Sequence, residues 1–152
     1  MKRPQGVTLV ELVAVVIVLA VLLGVAIPSY GRTKERNYYR VATTLLQTIY
    51  SGERAYCFTK TSVGNRRYYA PTNNGGTNAD WDPIFMDKPT VTGITFAVTA
   101  PTPGALATCD TATFTATATR TSGPCNGRTA QITETGKLTT PNNETAWSDG
   151  TC

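Results

Sequence analysis

The sequence predicts an α+β fold in which one long N-terminal α-helix packs against a C-terminal antiparallel β-sheet of three to four strands. Two patterns support this fold class. Apolar side chains keep helical spacing over the first third of the chain, whereas small apolar and hydroxyl residues alternate with a period of two after Gly93. At 152 residues the chain has room for one compact domain and an extension.

The helix is predicted to begin in an apolar run from Val7 to Ile27, in which only Thr8, Glu11 and Gly24 are not plainly apolar. A helical run of this length spans a bilayer. Two basic residues precede the run, and basic residues tend to stay on the cytoplasmic side of a membrane. We therefore expect a cytoplasmic N-terminus and an exported remainder.

The second half of the helix is predicted from an apolar stripe that follows Pro28. We expect one helix from about Val7 to about Tyr56, which at 1.5 Å per residue is roughly 75 Å long. A small head cannot bury that length, so the first half should protrude into a membrane or into other subunits. The stripe consists of Tyr38, Val41, Ala42, Leu45, Leu46 and Ile49.

Residues 59–92 are predicted to form a loop rich in Gly, Asn and Pro, and residues 93–140 a sheet. Its strands are expected at Gly93–Ala100, Thr111–Thr119 and Thr129–Thr135, and the alanines of the second strand leave space for a closely packed helix. Within the loop, we expect the residues of the cluster Arg66–Tyr69 to be solvated loop residues. The alternative is a DNA or acidic-glycan site that uses charge and stacking, which two arginines support weakly.

The segment Lys2-Arg3-Pro4-Gln5-Gly6, followed by Val7-Thr8-Leu9-Val10-Glu11-Leu12, resembles the prepilin leader of type IV pilins and type II secretion pseudopilins. The resemblance implies cleavage by a prepilin peptidase between Gly6 and Val7, with N-methylation at Val7. It divides the chain into a leader (1–6), a membrane and assembly half-helix (7–28) and a pilin head (29–152). A signal peptide cut before Ile27 is the alternative.

Glu11 is an acidic residue in an apolar helix, where a charge costs roughly 2.5 to 3.5 kcal/mol at the bilayer centre. One explanation is a capping box with Thr8. The resemblance implies a second, in which the amine of Val7 in one subunit pairs with Glu11 of a neighbour and sets the axial register of a fibre. It also implies that the helix between Gly24 and Pro28 melts on assembly, and an ordinary proline kink is the alternative.

The four cysteines are widely spaced in a chain that looks exported, which favours disulfides over free thiols. Cys109 and Cys125 bracket a predicted strand, so they should lie roughly 30 Å apart and not pair with each other. Two connectivities remain open on geometry. Because pilin heads commonly close their C-terminal segment with a disulfide, the resemblance implies the pairs Cys57–Cys109 and Cys125–Cys152.

Histidine is absent, which excludes the usual Ser-His, Cys-His and His-metal sites. We therefore expect no enzyme activity, no cofactor and no metal. The net charge of +4 falls to 12 basic against 10 acidic side chains once Lys2 and Arg3 are removed, too mild a balance to imply nucleic acid.

The resemblance implies a structural subunit of a type IV pilus, stored in the inner membrane as a single-pass precursor and assembled into an extracellular fibre for adhesion, motility or surface contact. Its partners would be copies of itself, the prepilin peptidase, the membrane, and the inner-membrane assembly platform with its ATPase. Three alternatives remain: a type II secretion pseudopilin that builds a short periplasmic fibre, a minor pilin that binds DNA or a surface, and a plain membrane-anchored protein.

Overall fold

A computed structural model of the chain describes residues 7–59, 68–71, 76–100, 109–141 and 145–152, with the backbone alone at residues 25–28. Two short 3₁₀ turns, Asn78–Asp80 and Asp82–Ile84, precede the sheet. The main elements, in chain order, are α1 (Leu9–Thr59), β1 (Ile94–Thr99), β2 (Thr115–Arg120), β3 (Thr129–Thr133), β4 (Leu138–Thr139) and α2 (Thr145–Asp149).

The sheet is a four-stranded antiparallel meander in the order β1-β2-β3-β4. Its register pairs Phe96 with Ala118 and Ala116 with Ile132, so that side chains of one face line up across the strands. The burial of β1 to β3 alternates along each strand, as expected for a sheet with one face against the core. The α+β class with a long helix on an antiparallel sheet is therefore confirmed.

The core lies between the second half of α1 and the inner face of the sheet. Ala42, Leu46 and Ile49 of the predicted stripe are fully buried. They pack in the same core cluster as Ala116 and Ala118 of β2, whose small side chains let the helix approach the strand. The edges of the stripe are less covered than its centre: Tyr38 and Leu45 are half-buried and Val41 is 42% exposed.

The 3₁₀ segment between α1 and the sheet packs against the helix through Ile84, which is fully buried. Gly52 makes this approach possible, since a Cβ atom at this position would clash with the backbone carbonyl of Ile84. Trp81 beside it is 1% exposed. The part of the predicted loop that the structure describes is thus folded onto the head.

Three features differ from the sequence-based expectation. The second strand begins at Thr115 and not at Thr111, although the alternation starts earlier, and the third ends at Thr133. The short helix α2 was not predicted, because five residues carry too little periodicity. A tertiary contact holds α2 against the head. Trp147 is fully buried and packs edge to face on Tyr39 of α1, with 5.5 Å between ring centroids.

Candidate functional site

The N-terminal end of α1 is closed by a capping box between Thr8 and Glu11. The Glu11 backbone N–H donates to Thr8 Oγ1 at 3.3 Å, and the Thr8 backbone N–H donates to Glu11 Oε2, also at 3.3 Å. These bonds satisfy two amides that a helix start otherwise leaves unpaired. In the single chain Glu11 therefore acts as a cap, while Val7 beside it is 75% exposed.

The apolar half of α1 is exposed wherever the structure describes its side chains. Its large apolar side chains are between 45% exposed, at Val13, and 79% exposed, at Leu9. Among the described residues, α1 is the one helix long and apolar enough to cross a membrane, and none of its most apolar window is buried. Such a surface is far larger than a soluble monomer normally leaves in water.

The helix backbone is continuous across the segment from Gly24 to Pro28. Apart from the adjoining helix backbone, no described atom lies within 4 Å of the position that a Gly24 Cβ would occupy. The side chain of Pro28 and the whole of Gly6 lie outside the described residues. The predicted melting and cleavage positions therefore stay predictions.

A buried ion pair that was not predicted from the sequence joins α1 to β2. The carboxylate of Glu35 receives two hydrogen bonds from Arg120, Nε to Oε2 and Nη2 to Oε1, each at 3.0 Å. Both side chains are 3% exposed. Arg120 also donates from Nη1 to the Gly93 carbonyl at 2.7 Å and to Ser122 Oγ at 3.1 Å, and its guanidinium lies 3.8 Å from the ring centroid of Tyr38.

A sequence signal for this pair existed. Glu35 precedes Ala42 by two helical turns and lies on the buried face of α1, and Arg120 continues the inward alternation of Phe114, Ala116 and Ala118. An acidic and a basic residue that both interrupt an apolar pattern are candidates for each other's partner. Their distance in sequence hides the match, because only the fold brings positions 35 and 120 together.

A second buried acid, Glu53, has no charged partner among the described residues. It is fully buried, and its Oε2 accepts a hydrogen bond from the Tyr69 backbone N–H at 2.8 Å. Its Oε1 has no hydrogen-bond partner. Burial raises the pKa of Glu53 from 4.5 to about 8, and the bond from Tyr69 opposes that rise only in part.

The structure joins Cys57 to Cys109 and Cys125 to Cys152, with Cα–Cα distances of 5.9 and 5.0 Å. These are the two pairs that the resemblance implies. The first ties the end of α1 to the segment before β2, and the second ties the C-terminal residue to the turn after β2. Each bond thus fixes a part of the chain that no strand pairing holds.

The tyrosines of the predicted Arg66–Tyr69 cluster point into the head. Tyr68 is 4% exposed and its hydroxyl donates to the Cys109 carbonyl at 2.9 Å, and Tyr69 is half-buried against Tyr56, with 5.4 Å between ring centroids. The two arginines lie outside the described residues. A stacking platform for nucleic acid needs exposed rings, which these two tyrosines do not offer.

The chain combines a folded head with an exposed apolar half-helix, an arrangement consistent with an α+β pilin-like fold. Residues 1–27 match the prokaryotic N-terminal methylation motif, the leader signature of type IV pilins and pseudopilins. This motif implies processing by a prepilin peptidase and membrane anchoring of the precursor. Comparison with curated proteins and with solved structures finds no match.

Proposed function

We propose that the chain is the structural subunit of a type IV pilus, stored in the inner membrane and assembled into an extracellular fibre for adhesion, motility or surface contact. The observation that carries the proposal is the exposed apolar half of α1, most of which lies within the methylation motif of residues 1–27. Apolar surface of this size is unfavourable in water. A bilayer covers it in the precursor, and the helices of neighbouring subunits cover it in the fibre.

Assembly follows from the ends of this half-helix. Cleavage after Gly6 frees the amine of Val7, which is methylated and pairs with Glu11 of a neighbouring subunit in the low-dielectric fibre core. The segment from Gly24 to Pro28 melts as the subunits pack. The partners are other copies of the chain, the prepilin peptidase, and an inner-membrane platform with its ATPase; the role is structural and involves no substrate.

The first test is the N-terminal sequence and intact mass of the protein recovered from sheared surface fibres and from the periplasm. The proposal expects methylated Val7 as the first residue in the sheared fraction. A protein that begins at methylated Val7 but stays in the periplasm would instead indicate a pseudopilin. A chain that retains Met1, or begins at Ile27, would overturn both.

The second test separates the two roles of Glu11. Glu11→Gln removes the charge but keeps a side chain that serves a capping box, whereas Thr8→Ala breaks the cap and keeps the charge. We expect Glu11→Gln to reduce fibre yield at least about tenfold, as loss of one buried charge partner costs roughly 3 to 5 kcal/mol. Thr8→Ala should assemble, since a lost cap costs only about 1 kcal/mol.

Loss of fibres in Thr8→Ala together with normal assembly of Glu11→Gln would assign Glu11 to capping alone. Normal assembly of Glu11→Gln would contradict the charge pairing and leave the membrane-anchored half-helix in place. Membrane levels of each precursor serve as the control, because the comparison is valid only for chains that accumulate to the same amount.

We also propose that both disulfides form in the exported protein. Peptide mapping without reductant should recover the Cys57 peptide joined to the Cys109 peptide, and the Cys125 peptide joined to the Cys152 peptide. Recovery of the crossed pairs, Cys57 with Cys125 or Cys152, would contradict the proposal.

A further inference from the structure

We propose that a basic collar on α1, defined as Arg32, Lys34 and Arg36, binds the anionic headgroups of phospholipids while the precursor is stored in the membrane. The inference rests on the proposed membrane storage and adds to it a lipid class and the residues that select it. Exposure, charge and position along the helix each support it.

All three collar side chains are exposed. The acidic residue that lies among them in sequence, Glu35, is buried and held by Arg120, so its charge does not neutralise the collar. No carboxylate in the described part of the chain forms an ion pair with a collar side chain. Asp149 adjoins the collar through its backbone carbonyl, which accepts a hydrogen bond from Arg36 Nε at 2.8 Å. The collar is thus an excess of positive charge facing outward.

The position of the collar follows from the continuous backbone of α1. Residues 32, 34 and 36 lie roughly 6, 9 and 12 Å beyond residue 28 along a helix that rises 1.5 Å per residue. The headgroup layer is about 5 to 8 Å thick on each side of the hydrocarbon core, and long basic side chains bend toward it. Tyr30, 71% exposed, occupies the level where aromatic residues anchor a helix at the interface.

The collar can bind phosphate through its donors, and its net positive charge favours lipids of net negative charge over zwitterionic ones. Guanidinium groups bind phosphate oxygens in a bidentate manner, and lysine adds a compact charge. Each basic residue near an anionic bilayer surface contributes about 1 kcal/mol, which corresponds to roughly a fivefold preference for anionic over zwitterionic lipid. Because the collar continues directly from the membrane half of α1, membrane storage places it next to the bilayer surface.

The test uses the full mature chain reconstituted in phosphatidylcholine bilayers that contain spin-labelled phosphatidylglycerol or spin-labelled phosphatidylcholine. We expect the chain to prefer phosphatidylglycerol, and Arg32→Gln to lower that preference about fivefold. Arg40→Gln is the matched control, because Arg40 is an exposed arginine of the same helix roughly 18 Å beyond residue 28, outside the headgroup layer. The triple variant Arg32→Gln/Lys34→Gln/Arg36→Gln should abolish the preference.

The inference would be overturned if the unsubstituted chain showed no preference between the two lipids. It would also be overturned if Arg32→Gln and Arg40→Gln changed the lipid preference equally. Loss of the preference on adding inorganic phosphate, but not on adding chloride to the same ionic strength, would reassign the collar to free phosphate. Circular dichroism of each variant checks that the head remains folded.

Failure of this inference is distinguishable from failure of the proposed function. Collar variants that show no lipid effect, yet are cleaved after Gly6 and assembled, would refute the collar and leave the pilus subunit intact. A chain that is not cleaved in cells would refute membrane storage as a prepilin, whatever its lipid preference in bilayers.

Discussion

The two buried acids of α1, Glu35 and Glu53, occupy the same helix face with opposite consequences. Glu35 is fully compensated by Arg120, with two hydrogen bonds and a further pair of acceptors around the guanidinium. Glu53 receives a single backbone hydrogen bond and is otherwise unpartnered in the described residues. Glu35 therefore makes a specific contact between helix and sheet. Glu53 is a buried polar group whose ionisation opposes folding.

Removing one partner of the Glu35–Arg120 pair should be strongly destabilising. Arg120→Met leaves the Glu35 carboxylate buried without its counter-charge, so we expect the free energy of unfolding to fall by about 3 to 5 kcal/mol. Urea unfolding of the full chain in detergent, followed by circular dichroism, measures the change.

The double variant Glu35→Leu/Arg120→Met is the control for this prediction. It removes both charges together, and should recover most of the loss because buried ion pairs replaced by apolar residues are often close to neutral. If Arg120→Met has the same free energy of unfolding as the unsubstituted chain, the ion pair does not stabilise the head.

The stability of the head should fall as the pH rises from about 4.5 to about 8, because of Glu53. Over that range the folded chain keeps the Glu53 proton, since its pKa is about 8, while the unfolded chain has lost it. The unfolded state therefore binds fewer protons, and the contribution of Glu53 to the free energy of unfolding declines by up to about 1.4 kcal/mol per pH unit. Urea midpoints at several pH values measure the slope.

Glu53→Gln supplies the comparison. Glutamine keeps an acceptor for the Tyr69 N–H but carries no charge, so the variant should match the unsubstituted chain near pH 4 and exceed its stability at pH 8. An identical pH profile for the two proteins would mean that Glu53 does not titrate in this range.

At the scale of elements, α1 is one continuous helix with two unlike environments. Its second half is packed by the sheet, by α2 and by the 3₁₀ segment, whereas the described side chains of its first half are exposed. Two of the three glycines of α1, Gly52 and Gly24, mark this contrast. The first is crowded by the Ile84 carbonyl, and the second has no atom near it.

The same substitution should therefore have opposite effects at the two glycines. Gly52→Ala forces the 3₁₀ segment away from α1 and should destabilise the head by about 1 to 3 kcal/mol, the usual cost of overpacking. Gly24→Ala replaces a poor helix former in open space and should stabilise the helix by up to about 1 kcal/mol. Thermal unfolding of the head measures the change at Gly52, and the loss of helix content of the membrane half in the same detergent, followed by circular dichroism, measures the change at Gly24.

Fibre yield provides the complementary readout for Gly24→Ala. If the segment from Gly24 to Pro28 melts on assembly, a more stable helix there should lower the number of fibres. Unchanged stability of Gly52→Ala, in contrast, would show that the approach of Ile84 to α1 is looser than described.

At the scale of the whole molecule, the head should fold without the membrane half of α1. All the buried residues of the described core lie at Glu35 or later, and both disulfides lie within the same part. We expect a fragment of residues 29–152 to be soluble and monomeric, and to unfold cooperatively.

Sedimentation and thermal unfolding of this fragment test the expectation, with the full chain in detergent as reference. The two should show the same unfolding transition, because all the buried residues of the described core lie at Glu35 or later. A fragment that aggregates or unfolds without cooperativity would mean that the head depends on residues 7–28.

The sequence alone determined the class of fold and the special character of the N-terminus, since both rest on local patterns. A run of apolar residues, the Thr8–Glu11 spacing of a capping box and the period of two in β2 are readable over a few turns or one strand. For contacts between distant positions, local patterns at most mark a candidate residue and do not identify its partner. The partner of Glu35, the burial of Glu53 and the docking of Trp147 on Tyr39 were decided by tertiary structure, because burial and pairing depend on which surfaces the fold brings together.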